Sequence, residues 1–216
     1  MSTDTPLPRL PLAARWRVDA LLGKGERLLL GLVGAPGAGK STLAQVLQQA
    51  YPALVQVVPM DGFHLANLEL QRLGRAQRKG APDTFDSSGY VELLRRLRSQ
   101  GTEDCTVYAP TFRRDIEEPV AGAIAVMPST RLVITEGNYL LDTRDGWGLV
   151  AALLDETWYI ECDDALRNER LLRRHQAFGR TPAQARDWVA NTDEPNAARI
   201  AVTRSRASWV FRWDDA

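Results

Sequence analysis

One segment of the sequence carries residues whose types and spacing suit the binding of a polyphosphate. The run Gly34-Ala-Pro-Gly-Ala-Gly39-Lys40-Ser41 matches the pattern G-x-x-x-x-G-K-[ST] in full. In such a segment the glycines let backbone N–H groups approach phosphate oxygens, the lysine reaches the β- and γ-phosphates, and the serine hydroxyl ligates Mg²⁺. We therefore predict a P-loop that binds ATP and Mg²⁺. Its nucleotide-binding residues would be Gly34, Ala35, Pro36, Gly37, Ala38, Gly39, Lys40, Ser41 and Thr42.

Two acidic residues follow apolar runs that resemble strands. Glu136 comes directly after Arg131–Thr135, and Asp61 follows Leu54–Val58. Because the carboxyl ends of parallel strands meet at one edge of a sheet, both carboxylates are expected near the phosphate site. We assign Glu136, with the P-loop serine, to the metal, and Asp61 to the acceptance of a proton from a hydroxyl group. Taken alone, Asp61-Gly62 is more typical of a turn, and a solvent-facing position is the alternative for Glu136; the nearby P-loop favours the assignments to the site.

A row of arginines lies on a helix predicted to begin near Asp164. Arg167, Arg170 and Arg174 are spaced i, i+3 and i+7 and so share one helix face, before Gly179–Pro182 ends the helix. This pattern is typical of a lid over a triphosphate, placed at about residues 164–182, in which Arg170 and Arg174 neutralise charge during catalysis. The same arginines also suit a solvated face paired with acidic neighbours.

These residues need a scaffold of alternating strands and helices. Apolar runs predict strands at Leu28–Val33, Leu54–Val58, Arg131–Thr135, Thr157–Ile160 and Ser208–Phe211, with helical stretches such as Tyr90–Leu97 and Asp163–His175 between them. Continuous apolar strands separated by helices indicate a parallel sheet covered on both faces. We predict an α/β fold of the P-loop NTPase type, with three layers α/β/α and a central, mostly parallel sheet of about five strands. It would form one domain over residues 1–216.

The segment at about residues 104–127 fits this alternation poorly. Thr106–Tyr108 and Ala123–Val126 predict two strands on either side of a charged loop. We place the segment as an insertion near the site of a second substrate.

The overall composition excludes several classes of protein. Lys+Arg and Asp+Glu both number 27, so no global charge favours nucleic acid or membrane as a partner. No apolar run approaches the roughly 20 residues that span a bilayer, and two cysteines without C-x-x-C spacing predict neither a zinc site nor a disulfide framework. We expect a cytoplasmic protein with a loose polar tail at Met1–Pro8. Its oligomeric state cannot be read from the sequence, and a homodimer is one possibility.

With these motifs in place, the chain resembles the P-loop kinase family that contains uridine kinase, phosphoribulokinase and bacterial pantothenate kinase. The likeness rests on the P-loop, Met60–His64, Thr135–Asn138 and Thr203–Ser208, and extends to short bacterial proteins described as nucleoside/nucleotide kinase-like or fructose kinase. Arg78–Asp86 resembles the acceptor segment of pantothenate kinase. The resemblance implies transfer of the γ-phosphate of ATP to a hydroxyl of a sugar, a nucleoside or a pantothenate-like acid.

The resemblance and the strand positions together give a set of candidate site residues. The catalytic candidates are Asp61, Lys40, Arg170 and Arg174, and the metal candidates are Ser41 and Glu136. The acceptor candidates are Asp61, His64, Arg78, Lys79, Asp83, Phe85, Tyr108, Arg113, Arg114 and Asn138. Arg113 and Arg114 suit an anionic or polyhydroxylated acceptor, or a solvated basic loop.

One departure from the family concerns the insertion. Pantothenate kinase carries Tyr-Ser-His where this chain reads Tyr108-Ala-Pro-Thr-Phe112, which disfavours pantothenate itself as the acceptor. Two other functions fit a P-loop: a regulatory ATPase switch without a small-molecule acceptor, and a GTPase. The sequence contains no Asn-Lys-x-Asp element that would read guanine, so ATP is the better donor.

Overall fold

The computed structural model describes residues 7–213 and contains seven strands and seven α-helices in that range. The strands are Leu28–Val33 (β1), Val55–Pro59 (β2), Val107–Arg113 (β3), Glu118–Val126 (β4), Leu132–Gly137 (β5), Glu156–Ile160 (β6) and Trp209–Phe211 (β7). The helices are Leu12–Leu22 (α1), Lys40–Ala50 (α2), Asn67–Arg72 (α3), Ser87–Ser99 (α4), Asp164–Ala177 (α5), Pro182–Trp188 (α6) and Glu194–Ala201 (α7). Most of the predicted tail at Met1–Pro8 lies outside the described residues.

Five strands form the central sheet, in the order β2-β5-β1-β6-β7, and every neighbouring pair is parallel. All residues of β1 and β5 are buried, as expected for strands that are covered on both faces. One apolar cluster includes residues of α1 and α2, and the other includes residues of α4 together with Tyr139 and Trp147. The predicted three-layer α/β/α fold with about five parallel strands is therefore confirmed.

The strand order determines which loops meet. Strands β2, β5 and β1 are neighbours, so the segments that follow them emerge side by side at the carboxyl edge of the sheet. These segments carry Asp61, Asn138 and the P-loop, and Glu136 is the next to last residue of β5.

The remaining two strands, β3 and β4, form a separate antiparallel hairpin. The predicted strands Thr106–Tyr108 and Ala123–Val126 are thus found, but both are longer than expected. The hairpin packs on the turn Met60–Phe63, so closely that a Cβ on Gly62 would lie 2.4 Å from the carbonyl oxygen of Pro110. Only glycine can occupy this position without moving the hairpin.

Helices α1, α3, α6 and α7 were not predicted from the sequence. In α1, Leu12 and Trp16 are 65% and 68% exposed, while Ala14, Val18 and Leu21 are buried. Apolar residues therefore lie on both sides of α1, which hides the helical period that identifies an amphipathic helix. Within residues 7–213, no helix has both the length and the apolar character needed to span a membrane.

Candidate active site

The P-loop connects β1 to α2 in the conformation that its glycines allow. Gly37 and Gly39 have φ of +80° and +95°, in the left-handed region that favours glycine. Gly39 precedes the first residue of α2, and no side chain among the described residues caps this helix. The first N–H groups of α2 are therefore free of side-chain caps at a cavity lined by Gly39, Lys40, Ser41 and others. An uncapped helix N-terminus of this kind fits a phosphate group.

Lys40 is the first residue of α2, at the end of the P-loop, and is 8% exposed. Its ammonium donates hydrogen bonds to the carbonyl oxygens of Gly34 and Ala35, at 2.8 and 3.0 Å, and to Oδ1 of Asn138 at 2.8 Å. All three acceptors are neutral, so the hydrogen bonds do not neutralise the charge. Burial lowers the pKa of the Lys40 ammonium to about 8, against the raising effects of Glu136 and Asp61. A bound polyphosphate would supply the missing countercharge.

Ser41 and Glu136 provide the two protein oxygens expected for a metal. The Ser41 hydroxyl donates to Oε1 of Glu136 at 2.8 Å, which places a hydroxyl and a carboxylate together beside the P-loop. Burial, and next the negative charge of Asp61, raise the pKa of the Glu136 carboxyl. Oxygen donors suit Mg²⁺, which is bound through few protein ligands when phosphates and water supply the rest. This pair fits the predicted Mg²⁺ site.

Asp61 begins the acceptor half of the cavity. Its carboxylate accepts a hydrogen bond from Nη2 of Arg114 at 3.3 Å, and both side chains remain partly exposed. The Asp61 carbonyl accepts from Nδ1 of His64 at 2.8 Å, and burial lowers the pKa of that imidazole. The His64 ring lies between Phe85 and Phe112, with centroids 4.0 and 4.6 Å away. His64 thus supports an aromatic wall beside the carboxylate.

One cavity of about 1130 Å³ brings most of the candidate residues together. From the nucleotide side it is lined by Pro36, Gly37, Gly39, Lys40, Ser41, Thr42 and Glu136, and from the acceptor side by Asp61, His64, Lys79, Phe85, Arg114 and Asn138. Arg170 and Arg174 line it from α5. The nucleotide and acceptor candidates therefore share a single space, as transfer between two bound substrates requires.

Four acceptor candidates do not reach the wall of this cavity. Arg78 and Asp83 form an ion pair with each other, and Arg113 pairs with Asp115, two residues further along the chain. Tyr108 is 59% exposed, between Val107 and Ala109, which point to the buried side of the strand. The structure therefore does not bring these residues to the site.

The P-loop residues also divide between two spaces. Gly34 contributes the carbonyl group that holds Lys40, whereas Ala35 and Ala38 line a smaller cavity of about 350 Å³. Of the three arginines predicted to share one helix face, Arg170 and Arg174 line the larger cavity, whereas Arg167 lines the smaller one. That side chain is 2% exposed and pairs with Asp164 and Glu194. Arg167 and Arg174 are seven positions apart, about 10 Å along the helix axis, so the two side chains have different surroundings.

A second group of residues at the cavity was not found from the sequence. His175 is buried on α5, and its Nε2 lies 2.7 Å from Oδ2 of Asp193. Arg180 lies 3.0 Å from Nδ1 of the same imidazole and stacks on Trp188 at 4.0 Å. Since arginine can only donate, Nδ1 is the acceptor and Nε2 carries the hydrogen that is donated to Asp193.

This arrangement holds Arg180 at the cavity wall. Asp193 ends a π-helical turn, Val189–Asp193, between α6 and α7. The signal in the sequence is weak, because the group joins residues up to 18 positions apart. The local signal in the sequence is the proline in Asp193-Glu-Pro-Asn196, which is typical of the first turn of a helix and indicates the start of α7.

The burial of Lys40 predicts a pH dependence of nucleotide affinity. A bound polyphosphate favours the charged ammonium, so binding raises a pKa that is about 8 in the free protein. We expect the affinity for ATP to be nearly constant from pH 7.5 to 8 and to fall as the pH rises further, by up to about tenfold per unit. Titration calorimetry between pH 7.5 and 9.5 measures this. Lys40→Arg, which keeps its charge throughout, should bind more weakly with a flat profile, and a flat profile in the unmodified chain would contradict the prediction.

The fold and the site together define a P-loop phosphotransferase, and comparison with known proteins agrees. The chain is 36% identical over 172 residues to a Schizosaccharomyces pombe protein provisionally named uridine kinase, covering 76% of this chain and 72% of that protein. It is 30% identical over 227 residues to the pantothenate kinase of Clavibacter michiganensis, covering 91% of this chain and 70% of that enzyme. No family model matches the chain.

Solved structures extend the comparison to the fold. A crystal structure of a protein from Silicibacter sp. TM1040, provisionally described as a fructose transport system kinase, superposes with a TM-score of 0.83 at 37% identity. The match covers 94% of this chain and 99% of that one. The chain therefore belongs to the family of P-loop kinases that includes uridine kinase-like proteins and pantothenate kinases. It is a phosphotransferase, and membership of the family implies the use of ATP.

Proposed function

We propose that the protein is a cytoplasmic kinase that transfers the γ-phosphate of MgATP to a hydroxyl of a small molecule. The observation that supports this most is the position of Asp61. Its carboxylate lines the same cavity as Lys40 and Glu136, but lies on the acceptor side. A switch that only hydrolyses ATP has no need of a carboxylate and an aromatic wall at this place.

The residues divide the work of an in-line transfer. Asp61 accepts the proton of the acceptor hydroxyl as that oxygen forms a bond to the γ-phosphorus, and the bond from phosphorus to the β,γ-bridging oxygen breaks to leave ADP. Lys40 and the N-terminus of α2 hold the phosphates. Mg²⁺, held by Ser41 and Glu136, would neutralise charge on the phosphate oxygens.

The arginines of α5 complete the proposed mechanism. Arg170 lies at the P-loop, with Nη1 3.9 Å from the place that a Cβ on Gly39 would occupy. Arg174 lies deeper, and burial together with the like charge of Arg114 lowers its pKa. A guanidinium that is costly to charge in the free protein is stabilised by the negative charge of a phosphoryl group in transfer.

A screen of acceptors tests the proposal. The purified chain is incubated with MgATP and a panel of sugars, nucleosides and hydroxy acids, and mass spectrometry searches for a phosphorylated product. We expect a new phosphoester with ADP formed in equal amount. Loss of ATP at a rate that no acceptor changes would instead favour the regulatory ATPase.

A further inference from the structure

The acceptor half of the cavity carries a lysine whose charge its contacts leave uncompensated. The Lys79 ammonium donates to Oδ1 of Asn67 at 2.6 Å and to the carbonyl oxygen of Glu117 at 2.5 Å, and both acceptors are neutral. The nearby carboxylate of Glu118 accepts from the backbone N–H of Asn67. Burial lowers the pKa of Lys79, more than the two glutamates raise it. A partly buried cation of this kind is stabilised by an anion from outside the chain.

A second cation lies near the aromatic ring that Lys79 approaches. The Arg114 guanidinium lies 5.9 Å from the centroid of Phe112, and the Lys79 ammonium lies 5.1 Å from that centroid. One ring therefore positions two positive charges from separate segments, the loop before α4 and the tip of the hairpin. Both side chains line the cavity. A guanidinium and an ammonium that line one cavity suit a carboxylate or a phosphate group.

The ion pair between Arg114 and Asp61 hinders the proposed reaction. Asp61, 3.3 Å from Arg114, carries the carboxylate expected to accept the proton. A guanidinium bound to the Asp61 carboxylate competes with a substrate hydroxyl for the carboxylate oxygens. The base works best when Arg114 has another partner.

We propose that the acceptor carries an anionic group as well as its hydroxyl, and that Lys79 and Arg114 bind this group over Phe112. The inference rests on the proposed function. When the anion binds, Arg114 exchanges Asp61 for the substrate, and the carboxylate becomes free to accept a hydrogen bond from the hydroxyl. The substrate class is therefore a hydroxy acid or a sugar phosphate rather than a neutral sugar or nucleoside.

Matched acceptors separate the charge from the hydroxyl. Glycerate against glycerol, and pantothenate against pantothenol, test a carboxylate, while ribose 5-phosphate against ribose tests a phosphate. For each pair, KM and kcat are measured at saturating MgATP, and the thermal shift is measured with a non-hydrolysable ATP analogue that fills the P-loop. In at least one pair we expect the anionic member to have a KM about 10- to 100-fold lower, as loss of a charged hydrogen bond implies, and to give the larger thermal shift.

Variants assign the effect to these residues. Arg114→Gln and Lys79→Met, each of which keeps much of the aliphatic stem on Phe112, should bring the KM of the anionic member to that of its neutral partner. Arg72→Gln is the matched control, because Arg72 is exposed and pairs with Glu69 outside the cavity. It should keep the preference.

Two results would overturn the inference while leaving the proposed kinase intact: efficient phosphorylation of neutral members, or a preference that survives in both variants. If no compound is phosphorylated, the proposed function is in doubt, but the thermal shifts still decide the anion site. Equal shifts from anionic and neutral members would exclude it.

Discussion

Replacing Asp61 with asparagine should reduce kcat for phosphoryl transfer by about 10³-fold, within the range for a general base, while leaving ATP affinity nearly unchanged. The amide has the size of the carboxylate but cannot accept the proton of the acceptor hydroxyl. It lies on the acceptor side of the cavity, beside His64 and Arg114, so the P-loop contacts of Lys40 are unaffected. Rates of phosphoester formation and calorimetric titration with ATP measure the two effects.

Asp104→Asn is the matched control for this substitution. Asp104 is exposed in the turn before the hairpin, where its carboxylate accepts from the backbone N–H of Gly101, and it does not line the cavity. It should retain full activity. Unchanged transfer by Asp61→Asn would remove this residue from the role of base, and ATP hydrolysis that persists without an acceptor would favour the regulatory switch.

The second large effect is expected at Lys40. Lys40→Met keeps the length of the side chain but removes the ammonium that would meet the β- and γ-phosphates. Because a preorganised charge at the transferring group is worth about 10²–10³ in rate, we expect kcat/KM for ATP to fall by at least about 10³-fold once binding is included. Steady-state kinetics with varied ATP measures the loss.

Thermal unfolding distinguishes this loss from misfolding. Burial already disfavours the Lys40 charge, and this offsets the three hydrogen bonds that methionine cannot donate, so the midpoint of unfolding should change little. Lys24→Met, on an exposed lysine in the turn after α1, is the control and should alter neither activity nor stability. A Lys40→Met variant with near-normal kcat/KM would contradict the assignment of the loop.

Site residues that belong to a local sequence motif, or that follow a strand, could be predicted from the sequence. The P-loop is a local motif, whose spacing is fixed by the backbone that surrounds a phosphate, and it identified Lys40 and Ser41. Asp61 and Glu136 followed from one general property of parallel sheets, that strand ends meet at one edge. The fold was also predictable, because parallel strands that are buried on both faces have continuous apolar sequences.

The other candidates depended on tertiary partners that the sequence does not reveal. Arg113 and Arg114 are adjacent and chemically identical. Arg113 nevertheless forms an ion pair with Asp115, whereas Arg114 pairs with Asp61 at the cavity. Arg167 met the helical spacing of a lid residue, but Glu194, on a helix that was not predicted, pairs with it. A charge pattern predicts which side chains point the same way and leaves open what they will touch.

The close contact between Gly62 and Pro110 also bears on how the chain could acquire new specificity. The hairpin is a separate sheet that packs on the turn after β2 through backbone, and its base, at Val107, Ala109 and Val126, shares an apolar cluster with the central sheet, whereas its tip lies outside that cluster. Its tip carries Arg114, whereas Lys40 begins α2 and Glu136 lies in β5 of the central sheet. Exchanging Arg113–Glu117 for the corresponding loop of a relative should therefore redirect acceptor choice with little change in ATP binding. Such grafts require Gly62, because a side chain at this position would displace the hairpin. A Gly62→Ala chain should therefore accept none of them well.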